Sequence, residues 1–495
     1  MCDPEGLRTG TRSGSRVVSL VVAAVCCAVV AACTAQQPHR PAAGASAQVH
    51  EPAAHAWMTT SDGRLKLADR GPVSFGPRGS AYPDILVENR QRYQDFFGVG
   101  ASITGASSVL LNTLPADARS RVMHDMFDPR RGIGLSLLRQ PAGANDFSSG
   151  SYTYDDVQPG GSDPGLTRFD LGRDRTEIVP LLVQAARINP SLAVVLSPWS
   201  APAWMKTSGS LVGGSLRPEY DRVYADYLAK AAKEYLDAGV PVTGLTVQNE
   251  PSFSPPAYPG MTLDTEQQRV LLRDHLRPAL GRTGLNLHLW ALDDNFERWP
   301  DADALLSDPA TRAAVYGVAF HCYRGDVSAL RQIRDRHPGV AVAISECSGG
   351  AWSGGFAHDL RYEARTLLVG AIRNGAAWLV KWNLALDPHG GPQNGGCRDC
   401  RGLVTVDPST GTVTPSAAYY AWGHVGRFVT PGAQVIGATA RRASRWAAVA
   451  FQNPDGSHVL VVYNDAATSR RVTVGAGRRS FAARMPAGSL ATYTW

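Results

Sequence analysis

Two hydrophobic rhythms divide the chain. Between residues 95 and 429, short apolar runs recur at 96–99, 135–139, 193–197, 244–248, 286–291, 315–320, 340–345 and 377–382. Apolar residues stand at consecutive positions in each run, as parallel strands buried on both faces require. The stretches between them repeat at helical spacing. Tyr224, Leu228, Ala231 and Tyr235 share one face, while Lys230, Lys233 and Glu234 share the other. Residues 176–188, 265–280, 327–336 and 359–374 behave the same way. Eight strand–helix units in succession predict an α/β fold, a (β/α)8 TIM barrel over 95–429. Past residue 435 the rhythm changes to short alternating strands at 446–451, 458–463, 471–474, 479–485 and 491–495. The turn signal Asn453-Pro454-Asp455-Gly456 separates two of them. Residues 430–495 therefore predict an antiparallel β-sandwich. Similar short strands at 57–94 predict that the sandwich is built from both chain ends.

The first residues read as an address. Arg8, Arg12 and Arg16 precede an apolar run, 17–32, that is shorter than the ~20 residues of a bilayer span and ends in Ala31-Ala32-Cys33. Residues 1–32 are expected to be a signal peptide. The stretch 30–33 resembles a bacterial lipobox, which would lipidate Cys33; an ordinary secretory signal is the alternative. Residues 33–56, rich in Ala, Pro, Gln and His, read as a flexible tether. An exported protein is expected, lipid-anchored at the cell surface or secreted, with no other membrane contact.

Composition narrows the classes. With 44% hydrophobic and 19% charged residues, the 495-residue chain is no disordered polymer. Its 50 Gly and 33 Pro follow no period, which excludes collagen-like and repeat architectures. The net charge of +6 forms no basic block interleaved with aromatics, so nucleic acid is not an expected partner, and a monomer is expected. Eleven Trp and sixteen Tyr are more informative, because aromatic faces in a polar cleft suit sugar rings. Cys322, Cys347, Cys397 and Cys400 remain beyond the leader besides Cys33. An even count in an oxidising compartment points to two disulfides. Cys397-Arg398-Asp399-Cys400 also fits a redox motif or half a zinc site. It lies in a Gly-rich loop without a second such pair, which favours a structural staple.

Reactive groups of a TIM barrel sit at the C-terminal ends of its strands. Those ends carry Arg139 and Asp146, then Trp199, Trp204 and Lys206, then Asn249 and Glu250, then His321 and Tyr323, then Glu346, then Trp382. A carboxylate ending an apolar strand is costly unless solvated or paired. Glu250 and Glu346 end strands four and seven, nearly opposite across the barrel. Two carboxyls facing across a cleft are what glycosidic cleavage requires: one protonates the leaving oxygen, the other attacks the anomeric carbon. Trp199, Trp204 and Trp382 would offer faces to sugar rings, and Arg139 would hold a carboxylate by a salt bridge. Singly, each has a plainer reading, such as a strand end before Pro251 or a core histidine; the ordered set is far more specific.

Residues 96–429 resemble glycoside hydrolase family 30, which includes glucosylceramidases, bacterial β-1,6-glucanases and xylan-active enzymes. The resemblance rests on Phe97-Gly98-Val99-Gly100-Ala101, Leu138-Arg139-Gln140-Pro141, Asn145-Asp146-Phe147-Ser148 and Tyr152-Thr153-Tyr154-Asp155-Asp156. It extends to Ser197-Pro198-Trp199 through Lys206, Thr246-Val247-Gln248-Asn249-Glu250-Pro251, and Trp382-Asn383-Leu384-Ala385-Leu386. It implies a retaining β-glycoside hydrolase that cleaves β-linked glycans, a β-glucan such as β-1,6-glucan or a glucosyl conjugate, with a carbohydrate or glycoconjugate substrate and no cofactor or metal. It implies Glu250 as general acid/base and Glu346 as nucleophile. Asp146 and Trp199 would hold sugar hydroxyls and Asn249 the 2-hydroxyl. His321 and Tyr323 would flank the nucleophile, with Trp382 as the floor. Glu250 is expected to rest protonated beside a charged Glu346. Gly105, where many relatives carry an acid, and Gly395-Gly396-Cys397 depart from the pattern, so a sphingolipid substrate is not assumed. His-Cys-Tyr and Ser-Glu-Cys place Cys322 and Cys347 at neighbouring strand ends and predict a disulfide between them. The alternatives are a non-catalytic surface glycan-binding lipoprotein and a relative acting on β-xylan or β-galactan.

Overall fold

The computed structural model describes residues 53–79, 82–441 and 445–495. The expected leader, Cys33 and the tether as far as residue 52 lie outside the described residues.

Eight parallel strands close into a barrel: Gly98–Ala101, Leu137–Ala142, Ala193–Pro198, Val242–Thr246, His288–Asn295, Gly317–His321, Ala341–Glu346 and Ala376–Val380. They follow sequence order, and Trp378 of the eighth pairs with Gly98 of the first. Leu137, Val195, Trp290, Ala319, Ala343 and Trp378 pack together within one apolar cluster. Positions of opposite parity, such as Leu138, Val194, Val318 and Val342, join the main core with the surrounding helices. Burial on both faces explains the unbroken apolar runs. Helix Asp221–Asp237 buries Tyr224, Leu228, Ala231 and Tyr235, the face that the spacing predicted. The helix expected over 265–280 starts at Thr265, where Asp264 accepts from Gln267 N at 2.8 Å as an N-cap. Its middle, Leu271–Leu276, is π-helical.

The sandwich is one ten-stranded sheet folded over on itself. Ala53–Thr59 lies between Ala68–Ser74 and Leu490–Thr494, so the two ends of the described chain pair directly. Here the structure corrects the tether: residues 53–56 belong to that strand. Ala54, Ala56 and Met58 alternate inward against Leu460, Val462 and Tyr493. Small alanines resemble linker composition, and their strand role depends on partners more than 400 positions away. The central strands are buried twice. Ala448, Ala450, Leu460 and Val462 face the other layer. Val449, Phe451, Val459 and Val461 face the barrel, in one core with Phe96 and Trp422.

Candidate active site

The strand ends meet around one buried cation. Arg139 is wholly buried in the second barrel strand. Its Nη1 donates to Glu346 Oε2 at 2.7 Å. Its Nη2 donates to Asp293 Oδ2 at 2.7 Å, Asn249 Oδ1 at 2.7 Å and Ser197 Oγ at 3.1 Å. The guanidinium also lies 4.8 Å from the Trp199 ring centre and 5.8 Å from that of Trp382. Arg139 was expected to hold one carboxylate and holds two. A buried fork with several donors suits that role, since each lost contact would leave a charge unpaired.

Asp293, absent from the sequence reading, is the hub. It ends the apolar part of strand five and accepts from Arg139, from Ser197 Oγ at 2.7 Å, from Thr246 Oγ1 at 2.8 Å and from Ser345 Oγ at 2.6 Å. Residues from strands two, three, four and seven thus converge on one carboxylate. Burial alone would raise it, but Arg139 and His321 hold it far below the ordinary carboxylate range. Leu292-Asp293-Asp294 breaks an apolar run much as Ser345-Glu346 does, and that was the available signal.

Glu346 accepts from Tyr323 Oη at 2.8 Å on Oε1 and from Arg139 on Oε2, so both oxygens are held. Glu250 lies beyond strand four in left-handed backbone, at φ 43°. Leu292, Asp293 and Asn383 share that rare conformation at the same rim, with φ between 55° and 71°. Such residues cost about 1–3 kcal/mol each and persist where surroundings over-determine them. His321 lies between the carboxylates, with Nδ1 3.1 Å from Glu250 Oε1 and Nε2 3.2 Å from Asp293 Oδ1. An imidazole with a carboxylate at each nitrogen is held as the cation, donating twice. Burial opposes that charge, yet Glu346, Asp293 and Glu250 push His321 up to about 10.

This changes the resting charges. Burial raises Glu250, but the contact and charge of His321, with Arg139, bring it below its ordinary value. Glu346 stays above its ordinary value through burial and the nearby Glu250, despite His321 and Arg139. The expected pattern needs Glu250 raised beside a charged Glu346; in this structure Glu250 is lowered and Glu346 raised, while donors on both oxygens hold Glu346 as an acceptor. His321 flanks Glu346 on the neighbouring strand, as expected, but its ring nitrogens contact Glu250 and Asp293; Tyr323 touches Glu346.

Asn249 gives its oxygen to Arg139, which leaves its amide donor for a ligand. Trp199 and Trp382 stack at 5.0 Å with 19° between planes. Beside them, Asp146 Oδ1 and Trp382 Nε1 are buried without a well-formed hydrogen bond, although Trp382 lies near enough to the Asp146 carboxyl to lower it. Burial, then the charge of Glu346, raises the Asp146 carboxyl well above its ordinary value. Two such polar atoms beside aromatic faces are what a ring bearing hydroxyls would complete. The loop carrying Asp146 is anchored from behind: Tyr152, Tyr154 and Tyr235 all donate to buried Asp174. Tyr258 joins the aromatic cluster and was not anticipated. Its hydroxyl feels Asp146, Glu250 and Glu346.

Trp204 stands apart, contrary to expectation. Its Nε1 donates to Asp155 O at 3.0 Å and its ring meets Tyr220 edge-on within the main core. The Pro-rich turn after Trp199 carries it away from the cleft. Lys206, in the same loop, donates to Ser200 Oγ, Leu211 O and Gly260 O within 2.8 Å, and burial lowers it to about 7. Both expected bridges are present: Cys322–Cys347, with Cα atoms 5.2 Å apart, and Cys397–Cys400.

Residues 96–429 match the glycosyl hydrolase family 30 TIM-barrel domain, and residues 432–493 match the family's β-sandwich domain. An endo-1,6-β-D-glucanase of Aspergillus fumigatus is 31% identical, over 85% of this chain and 90% of that protein. The lysosomal acid glucosylceramidase of Mus musculus is 26% identical, over 89% of this chain and 88% of that protein. A solved endo-β1,6-glucanase superposes with a TM-score of 0.82 at 28% identity, covering 89% of this chain and 99% of that one.

Proposed function

The chain belongs to glycosyl hydrolase family 30, and from that premise we propose how its site works and on what. It is a glycoside hydrolase with a carbohydrate substrate. In the proposed reading Glu250 is the general acid/base, Glu346 is the nucleophile, and the anomeric configuration is retained. The observation that carries the reading is the single network in which Arg139 binds Glu346, His321 binds Glu250 and Asp293 joins the two cations. A sugar laid over the site excludes water, which adds to the burial already raising Glu250 and brings a proton onto it. Glu250 then protonates the leaving oxygen. Glu346, steered by Arg139 and Tyr323, attacks the anomeric carbon and forms a glycosyl-enzyme. That ester no longer carries charge, so Glu250 acts next as base and activates water. Asn249 would hold the 2-hydroxyl, Asp146 and Trp382 further hydroxyls, and Trp199 with Trp382 the ring.

The proposed substrate is a β-1,6-linked glucan, in keeping with the relatives named endo-1,6-β-glucanases at 30–31% identity. Two disulfides fit an exported protein, and we place it at the cell surface through lipidated Cys33. Glu346→Gln should abolish hydrolysis of an aryl β-glucoside while sugar binding survives; turnover retained by that variant refutes the nucleophile. The first product anomer, followed by NMR, should be β; an α product refutes retention. Among pustulan, laminarin, xylan, galactan and glucosylceramide, pustulan should be degraded fastest.

A further inference from the structure

The loop after strand eight crosses the rim as a belt between other strand-end loops. Asn394 N and Gly396 N both donate to the carbonyl of Asp146, at 2.7 and 3.2 Å. The Asn394 side chain adds bonds to Asn145 O and Ser151 Oγ. Gly396 lies so close that a Cβ there would sit 2.7 Å from Asp146 O, 2.9 Å from the Phe147 ring and 3.0 Å from Asp146 Oδ2. The neighbouring Gly395 abuts Ala257 of the loop after strand four. Three residues further on, the belt reaches the loop that follows Glu346. Cys400 and Arg401 pair with Gly350 and Gly349, and Ala351 N donates to Asp399 O at 2.7 Å. The Cys397–Cys400 bridge joins these two anchorages. Both cysteines pack with Phe147, Trp199 and Trp382. The belt also borders a cleft of about 670 Å³, lined by its Arg398 together with Asp387, His389 and Asp407. The belt is therefore held by its anchorages and its bridge, and it has open space beside it.

We propose that the Cys397–Cys400 bridge and Gly396 form a positioning staple that sets sugar selectivity. It fixes the Asp146 carboxyl, whose Oδ1 is buried without a well-formed hydrogen bond, at one distance from the loop of Glu346. Opening the bridge lets the belt move back into the cleft and takes the Asp146 loop with it. Sugar recognition loosens more than bond cleavage, because Arg139, Asp293 and His321 hold Glu250 and Glu346 without touching the belt. A site built to hydrogen-bond a hydroxyl discriminates through that geometry, and shifts of ~1 Å are costly. The inference rests on the proposed sugar pocket and goes beyond it.

The test compares wild type, C397S/C400S and Gly396→Ala on aryl β-glucoside and aryl β-xyloside, which differ by one hydroxymethyl group. For C397S/C400S, KM for the glucoside should rise roughly fivefold or more, kcat should fall by less, and the glucoside-to-xyloside preference should shrink about as much as KM rises. Gly396→Ala should move the same quantities in the same direction. Dithiothreitol should reproduce the loss of preference in wild type and, in C397S/C400S, where only Cys322–Cys347 remains to be reduced, should not lower the glucoside-to-xyloside preference further. Binding of a glucose-configured iminosugar, read by tryptophan fluorescence in a Glu346→Gln background, decides the staple even if the glycosidase reading fails. The staple predicts weaker binding when the bridge is removed. Unchanged affinity and preference, or an equal loss of kcat on both glycosides with a lowered Tm, overturns it.

Discussion

His321, at the proposed catalytic centre, and His424, at the joint between barrel and sandwich, are both fully buried, and their surroundings drive them apart. His321 has a carboxylate at each ring nitrogen and is pushed up to about 10. His424 has Thr59 Oγ1 on one nitrogen and Thr492 Oγ1 on the other, each at 2.9 Å. Burial alone lowers it to about 3. One is a cation held between Glu250 and Asp293. The other is a neutral linker that ties the first strand, helix Ala417–Gly426 and the last strand. Equal burial thus gives opposite charge, and what decides is which neighbours compensate the lost water. The catalytic centre concentrates charge that must be balanced residue by residue. The joint uses neutral hydrogen bonds and apolar packing.

The contrast can be broken most forcefully at Arg139. Arg139→Met strands Asp293 and Glu346, so kcat/KM should fall by ~10³-fold or more and stability by about 3–5 kcal/mol. At the joint, Thr492→Val should cost about 1–2 kcal/mol, measured by urea unfolding, and leave turnover within about twofold. A catalytic loss at Thr492, or none at Arg139, would erase the distinction. Next in size is His321→Gln, which should lower kcat about 100-fold. It removes a charge that depresses both glutamates, so both limbs of the pH–rate profile should move to higher pH; movement to lower pH would show that His321 is not cationic. His424→Gln should leave the profile in place and lower Tm.

Stability against pH separates the two histidines by sign. The folded pKa of His424 lies below the unfolded value near 6.5. Its contribution is present above ~6.5 and is lost as pH falls toward 3, at up to about 1.4 kcal/mol per pH unit. The folded pKa of His321 lies above. Its contribution is present below ~6.5 and is lost as pH rises toward 10. Chemical unfolding across pH 4–9 should show His424→Gln flattening the acidic side and His321→Gln flattening the alkaline side. The smallest effect is expected at Trp204. Trp204→Phe should leave KM within about twofold, whereas Trp199→Phe should raise it about tenfold. Equal effects would put Trp204 back in the cleft.

The legible part of the site was the part that offends a local rule. Glu250 and Glu346 interrupt apolar strand ends, so they stand out. Asp293 does the same one strand away, but Asp294 beside it makes the break resemble an ordinary polar turn. Tyr258 carries no local signal, and Gly396 stood out only as part of an unusual Gly-Gly-Cys stretch, because their contacts come from loops that meet only when the barrel closes. Trp204 misled because a tryptophan after a strand end reads alike whether it faces the cleft or the core.

By itself the sequence determined the architecture and the two glutamates. Runs buried on both faces have few alternatives to parallel strands, and eight of them alternating with helices close into a barrel. The alternating terminal strands likewise fixed a sandwich. Only the tertiary structure decided that the His321 nitrogens would meet Glu250 and Asp293, and therefore how each glutamate is shifted. It also decided that residues 53–56 are a strand, and that the Cys397–Cys400 loop clasps Asp146 rather than standing free. Hydrophobic burial is a property of neighbouring positions and survives in one dimension. The charge of a buried group depends on partners that come from five different strands, and that arrangement exists only in three.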